Sequence, residues 1–263
     1  MDRLQGKIVI VTGAAQGMGE SYARLMAMEG ARVVMVDINA EVLGQSAEKI
    51  RGLGGEVLPL VYDVADLNSW KEITQKTVET YGAINVLVNN AGIKTNTSCE
   101  HFDQELWDKC LGVILYGAVY GIHCVVPEMR RAGGGSIINV ASLTSFSASP
   151  HSEQPLPDSG VDNPYCAAKG AIVSLTRAAA FQYAPDNIRV NAIAPGVINT
   201  PMIAKFMNEP DNPVIKYWQS RTYLPSGLGK ADEVGWMGVF LASDEASFIT
   251  GVTIPVDGGY LTV

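Results

Sequence analysis

The 263 residues are 47% hydrophobic and 17% charged, which excludes an intrinsically disordered chain and suits one large α/β domain or two small ones. The net charge is -8 and no basic cluster offsets it, so nucleic acid and anionic membranes are excluded as expected partners. Cys99, Cys110, Cys124 and Cys166 form no C-x-x-C pair, and His101, His123 and His151 lack ligand spacing; neither a disulfide framework nor a metal site is expected.

From the N-terminus, Met1–Gly6 leads directly into a strand and leaves no room for a signal peptide. No apolar run approaches the roughly 20 residues that span a bilayer, so a cytoplasmic protein is expected. Ile8–Val11 reads as the first strand and Met18–Glu29 as the first helix; Arg32–Asp37 and Ala40–Leu53 repeat the pair. Further strands are predicted at Val57–Tyr62, Val86–Val88, Ile137–Val140, Val190–Ile193 and Thr253–Val256. Helical periods lie near Leu67–Tyr81, Asp103–Met129, Tyr165–Ala184 and Ala231–Leu241. Nearly continuous apolar strands alternating with helices predict an α/β fold: a doubly wound, Rossmann-type parallel sheet in a single domain, residues 1–263. Two stretches break the rhythm. Leu143–Pro164 and Thr200–Gly229 show no period, and both follow strand ends, where such sheets bind ligands; they are read as substrate loops.

Thr12-Gly13-Ala14-Ala15-Gln16-Gly17-Met18-Gly19 lies between the first strand and first helix. Glycines there permit a tight turn, and the helix start offers free N–H groups to a pyrophosphate. Gly13, Gln16, Gly17, Met18 and Gly19 are therefore candidate cofactor contacts. About 20 residues on, Asp37 ends the second strand, where a carboxylate accepts from both ribose hydroxyls and repels a 2′-phosphate. Ile38, also placed at the cofactor, and Asn39 bring no cation, so NAD is expected over NADP. The simpler alternative is that Asp37 only caps the second helix.

Tyr165-Cys166-Ala167-Ala168-Lys169 opens a long helix, with Asn163 as its expected N-cap and Pro164 at its first position. The i, i+4 spacing puts phenol and ammonium on one face. With these motifs in order, the chain resembles the single-domain short-chain dehydrogenase/reductase family over essentially its whole length. The resemblance extends to Asp63-Val64, similar to an adenine-contacting pair, and to Asn89-Asn90-Ala91-Gly92, which matches the family's N-N-A-G. Ser142 closes Asn139-Val140-Ala141-Ser142 at the catalytic serine. Pro195-Gly196-Val197-Ile198-Asn199-Thr200 matches a segment whose threonine holds the nicotinamide carboxamide. The family resemblance thus implies cofactor contacts at Asp63, Val64, Asn90, Ala91, Gly92, Tyr165, Lys169, Pro195, Gly196, Ile198 and Thr200, and a catalytic trio of Ser142, Tyr165 and Lys169.

What it implies is an NAD(H)-dependent oxidoreductase acting between a secondary alcohol and its ketone, with Tyr165 as acid/base. A phenol titrates near 10, so phenolate near neutrality needs about 4 kcal/mol. An ammonium about 4 Å away at an effective dielectric of 20 supplies that order of energy, and Lys169 is expected to do most of it. Ser142 would orient the substrate oxygen. By the same resemblance the protein is expected to be a homodimer or homotetramer, its larger contact made by the helices near Asp103–Met129 and Tyr165–Ala184 and a second by Val256–Tyr260.

Two departures from the family pattern stand out. Val113-Ile114-Leu115-Tyr116-Gly117 puts Ile114 where many members carry a water-holding asparagine. The Leu143–Pro164 segment is also long, and carries His151, Glu153, Asp158 and Asp162. Phe146, Leu156, Phe206, Met207, Tyr217, Trp218 and Tyr223 are candidate apolar walls for substrate. Ile114 is read first as a core isoleucine with another group relaying the proton, and it keeps open an alternative in which the fold is a catalytically weak NAD-binding sensor or scaffold. A lyase or dehalogenase on the same fold is a third reading, weakened by the intact Gly13, Asp37 and Thr200.

Overall fold

The structure, a computed structural model, describes residues 2–147, 162–204 and 212–262. Strands β1 (Ile8–Thr12), β2 (Arg32–Asp37), β3 (Glu56–Val61), β4 (Val86–Asn89), β5 (Gly135–Val140), β6 (Ile188–Pro195) and β9 (Thr253–Val256) form one seven-stranded sheet. Its order is β3-β2-β1-β4-β5-β6-β9, and every neighbouring pair is parallel. A short pair, β7 (Ile198–Asn199) and β8 (Gly229–Lys230), stands apart from it. The helices are α1 (Gly17–Met28), α2 (Ala40–Gly52), α3 (Leu67–Tyr81), α4 (Gln104–Leu111), α5 (Gly117–Arg131), α6 (Asn163–Tyr183), α7 (Pro213–Arg221) and α8 (Ala231–Ala242).

Side-chain alternation explains why both sheet faces are covered. Val9, Val11, Val33 and Met35 point into one core with Tyr22 and Met26 of α1 and Val234 and Val239 of α8. Ile10, Val34 and Val36 point into the opposite core with Trp70 of α3 and Ile122, Val125 and Met129 of α5. Short polar side chains start most of the helices: Asn39, Asp66, Asp103, Asp162 and Asn212 each accept from a backbone N–H one turn inside. Helix α1 differs, because Gln16 at its N-cap makes no side-chain cap bond.

Strand order reverses direction between β1 and β4, both of which lead into loops at the same edge. That reversal opens the crevice in which doubly wound sheets hold their ligands.

The structure departs from the sequence reading at several points. The predicted helix Asp103–Met129 is α4 and α5 joined by a π-helical turn, Gly112–Tyr116. This 28-residue stretch, Gln104–Arg131, holds an 18-residue window of mean hydropathy 1.8, enough by length and composition to cross a membrane, contrary to the reading of the apolar runs. Its inward side meets β4, β5, α3 and α6, the role of a core helix. The patternless Thr200–Gly229 contains a 3₁₀ turn (Pro201–Ile203) and α7, and its last residue begins β8. Asn212 caps α7 and Pro213 occupies its first position, so Asn-Pro ahead of Val214, Ile215 and Trp218 was a readable start signal. In the Leu143–Pro164 stretch, Leu143–Ser145 forms a 3₁₀ turn; His151, Glu153, Leu156 and Asp158 lie outside the described residues, as do Phe206 and Met207 further on.

Candidate active site

At the β1 and β4 ends, Thr12 stitches two loops together. Its hydroxyl accepts from the Asn90 and Ala91 N–H groups at 3.0 and 3.1 Å, and it donates to the Val88 carbonyl at 3.3 Å. The Asn90 amide donates back to the Thr12 carbonyl at 2.8 Å. Gly13 has φ +63, and a Cβ on it would lie 3.0 Å from the Ala91 Cα. A Cβ on Gly19 would sit 1.9 Å from the Gly13 carbonyl oxygen. Only glycine fits at these two positions, and the result is a cradle whose α1 N–H groups carry no side-chain cap.

The cradle opens into a cavity of about 660 Å³, a size suited to a cofactor. Gly13, Gln16, Gly17, Met18, Gly19, Asp37, Ile38, Asp63, Val64, Asn90, Ala91, Gly92 and Thr200 all line it. Tyr62, Ile93 and Val113, which the sequence reading did not assign, line it as well. Asp37 is not the cap of α2; Asn39 is, through Val42 N. The Asp37 carboxylate instead accepts from Ala15 N at 3.1 Å and Asn39 N at 3.0 Å, bridging the glycine loop to the next helix at the cavity wall.

A second cavity, about 110 Å³, shares Met18, Asn90, Gly92, Thr200 and Met202 with the first and is lined by Ser142, Tyr165, Lys169, Pro195, Gly196 and Ile198. All the candidate site residues therefore converge on two adjoining hollows. Trp218 of α7 and Ile203 form part of the apolar wall. Of the other proposed wall residues, Phe146 and Tyr223 are exposed, and Tyr217 packs beside Ile203, Ile215 and Trp218; none of these three lines the cavity.

Tyr165 and Lys169 share a face of α6, with the ammonium 5.7 Å from the phenol ring centre. The Lys169 side chain is 3% exposed and donates to the Val140 carbonyl. The Ser142 hydroxyl accepts from Thr144 N at 3.2 Å, and its nearness to the phenol favours the phenolate. Burial nevertheless pushes the Tyr165 phenol up to about 12, and burial brings the Lys169 ammonium down to about 8. The expected balance is thus reversed in the free protein: desolvation of the phenol outweighs the help from its neighbours. A protein in this state holds a protonated tyrosine at neutral pH.

Two further differences touch this face. The N-cap of α6 is Asp162, one residue before the expected Asn163. Ile114 lies in the π turn and is buried with Cys110, Ala118, Ala168 and Ile172. A Cβ on Gly92 would be 3.7 Å from both Ile114 Cγ1 and Lys169 Nζ, and the two side chains line one small hollow. An aliphatic wall there contributes to the desolvation that lowers the lysine.

The fold, the glycine cradle and the Ser-Tyr-Lys cluster define a Rossmann-type oxidoreductase, and the chain belongs to the short-chain dehydrogenase/reductase family. A family profile described as enoyl-(acyl carrier protein) reductase matches residues 13–261. Among similar proteins, a 3-oxoacyl-[acyl-carrier-protein] reductase of Thermotoga maritima is 39% identical over 98% of both chains. A cyclopentanol dehydrogenase of Comamonas testosteroni is 37% identical over 99% of both, and a 7alpha-hydroxysteroid dehydrogenase of Bacteroides fragilis is 37% identical over 98% of this chain and 96% of its own. In structure, a short-chain type dehydrogenase/reductase from Mycobacterium marinum superposes with a TM-score of 0.89 at 29% identity, covering 99% of this chain and 97% of the other. The protein is an oxidoreductase of this family.

Proposed function

We propose that the protein is an NAD(H)-dependent dehydrogenase/reductase interconverting a secondary alcohol and its ketone, with Tyr165 as the acid/base. The observation that carries this reading is the convergence of Ser142, Tyr165 and Lys169 on a hollow continuous with the glycine cradle. The cradle fits a dinucleotide: two positions admit only glycine, and the α1 start is uncapped. Gly13, Gln16, Gly17, Met18 and Gly19 would hold the pyrophosphate, Asp37 and Ile38 the adenine ribose, Asp63 and Val64 the adenine, and Asn90, Ala91, Gly92, Lys169, Pro195, Gly196, Ile198 and Thr200 the nicotinamide half. When bound, the nicotinamide supplies or accepts the hydride.

The chain's own groups handle the proton. Ser142 donates a hydrogen bond to the substrate oxygen, whose position is restricted by the Thr144 N–H holding the serine oxygen. In the reducing direction Tyr165, protonated at neutral pH, gives its proton to that oxygen as hydride reaches the adjacent carbon. The phenolate left behind is stabilised by the Lys169 ammonium and regains its proton from solvent. Alcohol oxidation runs the transfer backward and needs the phenolate first, so it is favoured at higher pH.

Asp37 favours NAD over NADP, since no lysine or arginine follows it at Ile38 or Asn39. The relatives' printed substrates, an oxoacyl chain, cyclopentanol and a hydroxysteroid, share a secondary alcohol or ketone on an apolar frame. Leu143, Val197, Met202, Ile203 and Trp218 give this hollow a matching wall. Exposed Tyr116, Val119 and Phe181 on the α5 and α6 side support assembly as a homodimer or homotetramer. The test is NADH oxidation, with NADPH in parallel, against linear, cyclic and steroid ketones. Turnover with NADH well above NADPH is expected; NADH binding without turnover on any carbonyl would favour the sensor alternative.

A further inference from the structure

Asp162 is 4% exposed although it is a carboxylate at the edge of the substrate hollow. Burying such a group costs several kcal/mol unless hydrogen bonds replace the lost water, and here they do. One oxygen accepts from the Thr95 and Asn96 N–H groups at 2.7 and 3.1 Å. The other accepts from the Thr95 hydroxyl at 3.1 Å and, as the α6 cap, from Tyr165 N at 3.4 Å. Asn96 has φ +52, a left-handed conformation that asparagine tolerates. Such a turn can aim successive N–H groups at a single anion.

The next residue continues the lacing. Asn163 N donates to the Thr97 carbonyl at 3.2 Å, and its side-chain oxygen accepts from Cys99 N at 2.8 Å. The chain between residues 94 and 99 is therefore bound to the first turn of α6, and this strap carries Lys94, whose ammonium lies 5.5 Å from the centre of the Tyr165 ring. Through Lys94, the strap lines the same hollow as Tyr165. A cap alone would need only one oxygen facing Tyr165 N; the second oxygen is given wholly to the strap.

The geometry points to Asp162 as a positioning residue with two separable tasks: it caps α6 under Tyr165, and it latches the 94–99 strap that shapes the substrate side of the hollow. The carboxylate oxygens are taken by internal donors, so it acts through Thr95, Asn96 and the strap rather than by touching substrate. This inference rests on the reading of Tyr165 as the acid/base.

Asp162→Ser separates the tasks. Serine keeps a helix cap, yet its single hydroxyl cannot serve Tyr165 N and the two strap amides together. Amide hydrogen exchange of the strap is measured alongside NADH affinity and steady-state kinetics with the ketone of highest turnover. The expected result is faster exchange confined to residues 94–99, NADH affinity within about twofold, and a KM raised by about tenfold or more with kcat little changed, as charge-assisted bonds to the strap are lost. Asp162→Asn, which keeps an acceptor, restores part of the KM, while Asp162→Ala lowers kcat as well because the cap is gone. Thr95→Val, which leaves the helix cap intact, reproduces a smaller KM increase and serves if the serine variant does not fold.

Unchanged strap exchange and unchanged KM in Asp162→Ser would overturn the latch. Failure of the underlying reading looks different: Tyr165→Phe would keep its turnover, while the strap exchange of Asp162→Ser would still quicken.

Discussion

Lys169→Met should make this protein more stable at neutral pH while removing most of its activity. Burial lowers the Lys169 ammonium from an ordinary 10.5 to about 8. At about 1.4 kcal/mol per pH unit, keeping that charge in the fold at pH 7 costs about 3 kcal/mol. Methionine fills a similar volume without a charge, but it leaves the Val140 carbonyl without its lysine donor, a loss of about 1–2 kcal/mol. The net expectation is a gain of about 1–2 kcal/mol at pH 7. Between pH 8 and 10.5 the unfolded chain binds more protons at this position than the folded one, so the wild type gains stability as pH rises through the window. The advantage of the variant should therefore shrink across that range and reverse above it. Urea unfolding of both proteins at pH 7 and near pH 10.5 measures the difference directly. A variant less stable by the same amount at both pH values would refute the reasoning, because it would show that the ammonium is not desolvated in the fold.

Two other substitutions probe the cofactor side. Gly19→Ala places a methyl 1.9 Å from the Gly13 carbonyl oxygen, a backbone atom that can move only with the loop, so NADH affinity should fall by about tenfold or more; affinity equal to wild type by fluorescence titration would mean the cradle does not hold the pyrophosphate. Asp37→Ala removes the negative charge that disfavours a 2′-phosphate, and the ratio of kcat/KM for NADH over NADPH should drop by about tenfold or more. An unaltered ratio would assign ribose reading to another group.

Much of this site could be read in the sequence because its parts are local. The glycine loop, Asp37 and the Tyr165–Lys169 pair each lie within one strand-to-helix junction or one helix turn, where spacing determines geometry. The strands were equally plain, since a sheet covered on both faces needs apolar residues such as Val33-Val34-Met35-Val36 without interruption. What escaped depends on distant contacts. The Asp162 bonds to Thr95 and Asn96 join residues about 67 apart, and no period in either segment announces them. The π turn around Ile114 looks like ordinary helix in sequence, because Ile114 keeps its place in the core with Ala168 and Ile172 of α6 and Ala192 and Ala194 of β6. The direction of the Tyr165 shift escaped for another reason. Spacing reveals the ammonium at i+4, whereas desolvation arises from the three-dimensional surroundings. Helix α7 was different: its Asn212-Pro213 start was legible and was obscured by the prolines around it.

The most direct test of the central claim is Tyr165→Phe, which removes one oxygen and keeps the ring between Lys94 and Lys169. NADH affinity by fluorescence titration and turnover on the best ketone are measured side by side at neutral pH. If Tyr165 is the proton donor, affinity stays within about twofold and turnover falls by about a hundredfold or more, the ordinary worth of general acid catalysis. Turnover close to wild type with intact binding would contradict the account and move the proton donor elsewhere in the hollow.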